Sequence, residues 1–253
     1  MSLNRCSEAL AVVLLLIAAT APAAAVASDV TGLPEESRVG TDVRAQFTLT
    51  ELYADGSQEW TLRGNTSLTA VQWTVEKRTL SGNVTRESYS GGSFATRVAA
   101  DEDVEEVVVT IAGTTPEVSN YSYEPRQTYL FAEFEKTVGG SNETITERSV
   151  HHYTNESREA RLAIDSASEV VNETSSDEAK RLLNNSISAY DTGNFDNAID
   201  LAEQAETEAR TRQQSNRRTQ LLLFGGIGVL ALAAIGGGLY YYRSRQDDYD
   251  KLG

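Results

Sequence analysis

The sequence predicts a mainly β chain with added α-structure: an antiparallel β-sandwich, then a helical hairpin or stalk, then one transmembrane helix. Three observations predict it. Between residues 39 and 154 apolar residues alternate with polar ones, and turn signals recur at short intervals. Between 155 and 219 there is no proline and the apolar spacing becomes helical. From 220 the chain turns apolar, and 221–242, LLLFGGIGVLALAAIGGGLYYY, runs 22 residues without a charge. As a helix at roughly 1.5 Å per residue that stretch would be about 33 Å long, close to a bilayer's hydrocarbon thickness.

In the first region Val43, Ala45, Phe47 and Leu49 alternate with polar partners, and Trp60 and Leu62 follow after Asp55-Gly56. Val71, Trp73 and Val75 form a stripe ended by Ser81-Gly82-Asn83. Phe94 and Val98 follow Gly91-Gly92; Val107, Val109 and Ile111 lead to Gly113. Ala132 and Phe134 precede Gly139-Gly140, and a last strand covers 144–152. Eight or nine short strands of this kind fit a sandwich of immunoglobulin or fibronectin-III size, with a small barrel as the alternative. Trp73 is the expected centre of its core, and 28–38 reads as a linker.

In the second region Ala160, Ala163, Ile164, Ala167, Val170 and Val171 fall on one helical face. Ser175-x-x-Glu178 reads as a capping box for the next helix, and Gly193 as its left-handed stop. Phe195, Ala198, Ile199, Ala202, Ala205 and Ala209 line a third helix. The order Ala189-Tyr190-x-x-Gly193-x-Phe195-x-x-Ala198-Ile199 resembles one tetratricopeptide unit, without its usual tryptophan and final proline. A solenoid needs about three repeats to bury a core, so a three-helix bundle is the better reading.

Residues 1–27 read as a secretory signal: Arg5, an apolar run at 9–19, then small residues up to Ala25-Val26-Ala27. A cleaved signal followed by the span would place the protein in the cell membrane as a single-pass chain. The N-terminus would lie outside and the tail 243–253 in the cytoplasm. The single cysteine, Cys6, lies in the leader. The mature chain therefore offers neither disulfides nor thiolate chemistry.

The formal charge is −15, with four lysines against eighteen arginines. Residues 28–209 hold 33 acidic and 14 basic side chains, while Arg210, Arg212, Arg217 and Arg218 form a basic collar. An acidic exterior argues against nucleic-acid partners, whose phosphates need cations. It suits concentrated salt, where the Debye length shrinks to about 3 Å at 1 M.

The clearest chemical signal is N-glycosylation. Asn-x-Ser/Thr sequons begin at Asn65, Asn83, Asn120, Asn142, Asn155, Asn172 and Asn184. His151 and His152 alternate to opposite faces of a strand and read as surface residues. The acidic run 101–106 lacks the glycine-turned spacing of a calcium loop and reads as solvated. No catalytic, cofactor or metal site is expected, since no nucleophile elbow or phosphate-cradling loop occurs.

The whole layout resembles cell-surface proteins of halophilic archaea. The resemblance implies location and lifestyle rather than an activity. The functional expectation is a non-enzymatic, membrane-anchored surface glycoprotein whose sandwich serves recognition or envelope packing among envelope proteins. The alternative is an accessory subunit that docks on a membrane-protein partner through helices and span. An ectoenzyme ranks last.

Overall fold

The computed structural model describes residues 25–215. Its described residues fall into two compact units, 25–119 with 126–154, and 120–125 with 155–215. The first unit holds ten strands: β1 (Ala27–Thr31), β2 (Glu36–Arg38), β3 (Asp42–Thr50), β4 (Glu59–Asn65) and β5 (Thr69–Thr79) come first. β6 (Val84–Ser90), β7 (Ser93–Ala99), β8 (Val104–Thr114), β9 (Thr128–Val138) and β10 (Ser141–Tyr153) complete it. They form two sheets of five, ordered β1-β3-β8-β5-β6 and β2-β10-β9-β4-β7. All neighbours run antiparallel except β2 and β10, which pair in parallel from His151↔Glu36 to Tyr153↔Arg38.

Alternation creates the inner faces. Ala45, Phe47 and Leu49 of β3 are buried while their neighbours are less so. The rings of the two sheets meet: Phe47 lies 4.9 Å from Phe134, and Trp73 lies 4.9 Å from Phe94. Such edge and tilted pairs contribute about 0.5–1.5 kcal/mol beyond their buried area. Trp73 is fully buried and its Nε1 donates to the Gly91 carbonyl at 2.9 Å. Gly64 makes room for this cluster, since a Cβ there would stand 2.2 Å from the Phe94 ring.

Four expectations change. Residues 28–38 are not a linker, because β1 and β2 occupy them and pair with β3 and β10. Val26 packs into the core and Ala27 pairs with Thr50, so the expected leader boundary at Ala27 falls within β1. The strand number is ten, with a parallel pair, rather than that of an immunoglobulin domain. The described residues thus form a β-rich α+β fold, and the expected transmembrane helix is not among them. Among the described residues no helix is long and apolar enough to cross a membrane, which says nothing of β-barrels. The described helices are amphipathic, and the first alone carries Glu156, Arg158, Glu159, Arg161, Asp165 and Glu169. The single-pass membrane placement is withdrawn with that helix. Its basis, 221–242, lies outside the described residues, as do most of the leader and the tail 243–253.

The second unit contains α1 (Asn155–Asn172), α2 (Asp177–Asp191) and a third helical segment, α3, over 195–215. The cap of α2 is Ser176, one residue later than expected: its hydroxyl accepts from the Ala179 amide at 3.3 Å. Asp177 and Glu178 lie in the first turn, where carboxylates favour the exposed amides. Gly193, at φ +76°, ends α2, and its amide donates to the Tyr190 carbonyl at 2.9 Å. Ala198, Ala202, Ala205 and Ala209 are all fully buried, so α3 packs through small side chains. At one point the Ser186 hydroxyl reaches the Ala198 carbonyl at 2.6 Å.

Six residues of this unit come from elsewhere in the chain. Asn120–Pro125, between β8 and β9, belongs to the helical unit. Tyr121 stands edge-on to Phe195 at 4.7 Å, and Tyr123 to Tyr190 at 5.9 Å. Arg161, on the buried face of α1, lies 4.4 Å over Tyr123 and donates to the carbonyls of Ser122 and Tyr123. The Tyr123 hydroxyl donates to Asp165, and burial followed by that carboxylate pushes the phenol up to about 12.

Candidate functional site

One end of the two-sheet unit gathers most of its exposed chemistry, and the strand registers define it. β5 ends where β8 begins (Thr79↔Val104), and β9 ends where β4 begins (Thr61↔Thr137). The β3–β4 loop lies there too, its Asp55 bonded to Lys136 of β9 at 2.7 Å. The tips of the β5–β6 and β9–β10 hairpins therefore share this end with the acidic turn after β7.

Charged groups there are mostly tied down. The Lys136 ammonium is 4% exposed and lies 5.2 Å from the Trp60 ring centre. Its hydrogen bond to Asp55, aided by the Ser57 amide and hydroxyl, holds that carboxyl at about 2. The run 101–106 is exposed at Asp101, Glu102, Asp103 and Glu105, as expected, and several of its carboxylates pair with arginine. Arg97 pairs with Asp101 (3.2 Å), Glu102 (2.5 Å) and Glu59 (2.9 Å), and Arg78 pairs with Glu106 (2.8 Å). Deeper in, burial alone would raise the Glu87 carboxyl. Hydrogen bonds from Lys77, Thr96 and Tyr89 outweigh it and hold the group below the usual carboxylate range.

Between these groups lies an open hollow of about 540 Å³, lined by Tyr53, Leu80, Ala100, Asp103, Val104 and Glu105. Leu80 is 84% exposed and Val84, across the same hairpin, 52%. The Tyr53 hydroxyl is buried without a hydrogen-bond partner. Burial, then the nearby Glu102, Asp101 and Glu105 charges, pushes it up to about 12. This hollow was not foreseen. Leu80 sits after an interrupted alternation, and nothing local signals that it lines one hollow with Tyr53.

His151 and His152 are not both surface residues. The His152 ring is buried against the Pro116 carbonyl at 3.2 Å, and burial lowers its pKa. His151 meets the Gln127 carbonyl at 2.8 Å. Both imidazoles thus help hold β10 and its flanking loops. Among the described residues no three His, Cys, Asp or Glu side chains converge as a metal ion would need. In the helical unit a groove of about 480 Å³ is lined by Glu178, Leu182, Asp200, Glu203 and Glu208 among others.

The sequons spread over both units. Asn83 and Asn142 are exposed at the two hairpin tips just described, and Asn120 is exposed in the segment packed on the helices. Asn65, at the end of β4, is half-buried and donates to Glu133 at 3.4 Å. Asn155, Asn172 and Asn184 are exposed on α1 and α2.

No family model matches this chain, and no curated protein matches it. Several solved structures resemble it weakly. The sporulation control protein Spo0M of Bacillus subtilis is 11% identical with a TM-score of 0.31 over 56% of this chain, and this chain covers 55% of that one. AvmM, which catalyses macrocyclisation in alchivemycin A biosynthesis, is 9% identical at a TM-score of 0.28, covering 50% of this chain and 88% of its own. The DNA glycosylase AlkC of Pseudomonas fluorescens reaches 0.23 at 15% identity, over 56% of this chain and 33% of its own. At these scores the likenesses carry no argument about this protein.

Proposed function

We propose that the protein is a non-enzymatic glycoprotein whose two-sheet unit is a recognition or packing module. The observation that carries this reading is the hollow beside Leu80: a shallow apolar surface with a carboxylate rim, at a hairpin end. The side chains best suited to chemistry are engaged elsewhere, with His151 and His152 on backbone carbonyls and Lys136 on Asp55. Ring-packed sheets beneath the hollow keep such a surface pre-formed, which limits the ordering cost of binding.

A second reading, an accessory subunit that docks through its helices, is favoured by Leu162 on α1, 61% exposed. Photoreactive residues placed at 80 or at 162, activated in the cells that make the protein, separate the two. Defined cross-links from 80 and none from 162 support the module reading; the reverse pattern overturns it in favour of the helical dock.

A further inference from the structure

The seven sequons share a pattern in sequence but not in space. A sequon presents two groups, the asparagine carboxamide and the hydroxyl two residues on, and a transferase that reads both must reach both. Secondary structure decides whether that is possible. In a strand, residues two apart lie on the same face. In an α-helix they lie about 200° apart, so an outward asparagine turns its hydroxyl partner inward.

The structure follows this rule. Asn83 and Thr85 are both exposed where β6 begins, and Asn142 and Thr144 are both exposed where β10 begins. Asn142 uses its Oδ1 to accept from Thr137 at 2.9 Å, leaving Nδ2 as the unengaged atom. In the helical unit the asparagines are exposed but their hydroxyls are not. Ser157 and Ser186, inside α1 and α2, are 0% exposed, and Thr174, buried by the turn after α1 rather than by helical spacing, is 9% exposed. Ser186 is also bonded to the Ala198 carbonyl across the helix interface. Asn65 and Asn120 each meet half of the requirement. Asn65 is half-buried with Ser67 exposed, and Asn120 is exposed with Ser122 half-buried.

We propose that N-linked oligosaccharide is carried at Asn83 and Asn142 and is absent from Asn155, Asn172 and Asn184. This rests on the glycoprotein reading above and narrows it. The donor is an oligosaccharide on a lipid phosphate, supplied with a separate transferase. The asparagine Nδ2 forms a bond to the anomeric carbon while the bond from that carbon to the phosphate oxygen breaks. The proton lost from Nδ2 ends on the departing lipid phosphate, and nothing is oxidised or reduced. Both acceptors lie at the end that holds the hollow, so the module presents an apolar surface rimmed by sugar.

The test is glycopeptide mass spectrometry of the full chain purified from the cells that make it, with the N-terminal peptide read in the same run. Sugar at Asn83 and Asn142, with Asn155, Asn172 and Asn184 bare, is the expected result. Thr85→Ala, an exposed change, should remove one glycan mass while leaving Asn83 in place. Sugar on any of the three helical-unit sequons, or bare Asn83 and Asn142 beside sugar elsewhere, overturns the assignment and leaves the glycoprotein reading standing. Seven bare asparagines overturn both.

Discussion

The two units fill their interiors in opposite ways. The sheet unit uses volume: Trp73, Phe47, Phe131 and Phe134, with Leu49, Leu52 and Leu62, fill the space between sheets about 10 Å apart. The helical unit uses proximity: Ala160, Ala167, Ala179, Ala198, Ala202, Ala205 and Ala209 bring backbones together, and Tyr190 is its one fully buried aromatic. A core built on volume is damaged by removing atoms, and one built on proximity by adding them. Both tryptophans lie in the sheet unit, so tryptophan fluorescence reads that unit while helical circular dichroism reads the other.

The largest effect expected is for Trp73→Ala, about 4 kcal/mol of lost stability by denaturant unfolding, followed through the remaining Trp60. Next comes an asymmetric pair. Asp55→Ala strands the buried Lys136 ammonium and should cost about 3 kcal/mol, the scale for breaking a buried ion pair. Lys136→Met leaves only Asp55, a third exposed and able to hydrate, so its loss should be less than half as large. The Asp55 pKa is lowered in the fold, so its stabilisation is complete above the ordinary value of 3.8 and disappears as pH falls toward about 2. The Lys136→Met variant should flatten that acid limb in a pH series of melting temperatures.

Ala202→Leu tests the other unit and should cost about 2 kcal/mol in the helical signal by overpacking. If it is neutral, the idea of a core built on backbone proximity fails. The smallest effect concerns the cap of α2. Ser176→Ala should lose about 1 kcal/mol, whereas Ser175→Ala should stay within about 0.5 kcal/mol.

Legibility followed the range of the interaction involved. The alternation of Val43 to Leu49 and the stripe from Ala160 to Val171 are periodic, and β3 and α1 lie where that periodicity puts them. The capping-box spacing selects Ser175 through Glu178, yet the cap that forms is Ser176, whose hydroxyl meets the Ala179 amide. β1 was hidden because the small residues up to Ala27 also fit a leader, and only Val26 and Val30 mark its inner face. The hollow depends on Leu80 and Tyr53 lining one surface, and the helical core on Arg161 meeting Tyr123. Both arrangements bring together residues far apart in the chain, where no local pattern records them. The sequons were legible as a pattern, but their hydroxyl partners could be sorted only once strand and helix were assigned.

The excursion Asn120–Pro125 also sets an order of events during synthesis. Tyr121 and Tyr123 leave the ribosome roughly seventy residues before Phe195, a delay of about 4–14 s at about 5–20 residues per second. By the time α3 emerges, β9 and β10 have been made and both ends of the excursion can already be anchored in finished sheets. A strip held at both ends has fewer conformations to lose when its partner arrives than a free tail would. The nascent chain thus prepares one wall of the helical unit before the other exists, with two tyrosines exposed in the meantime.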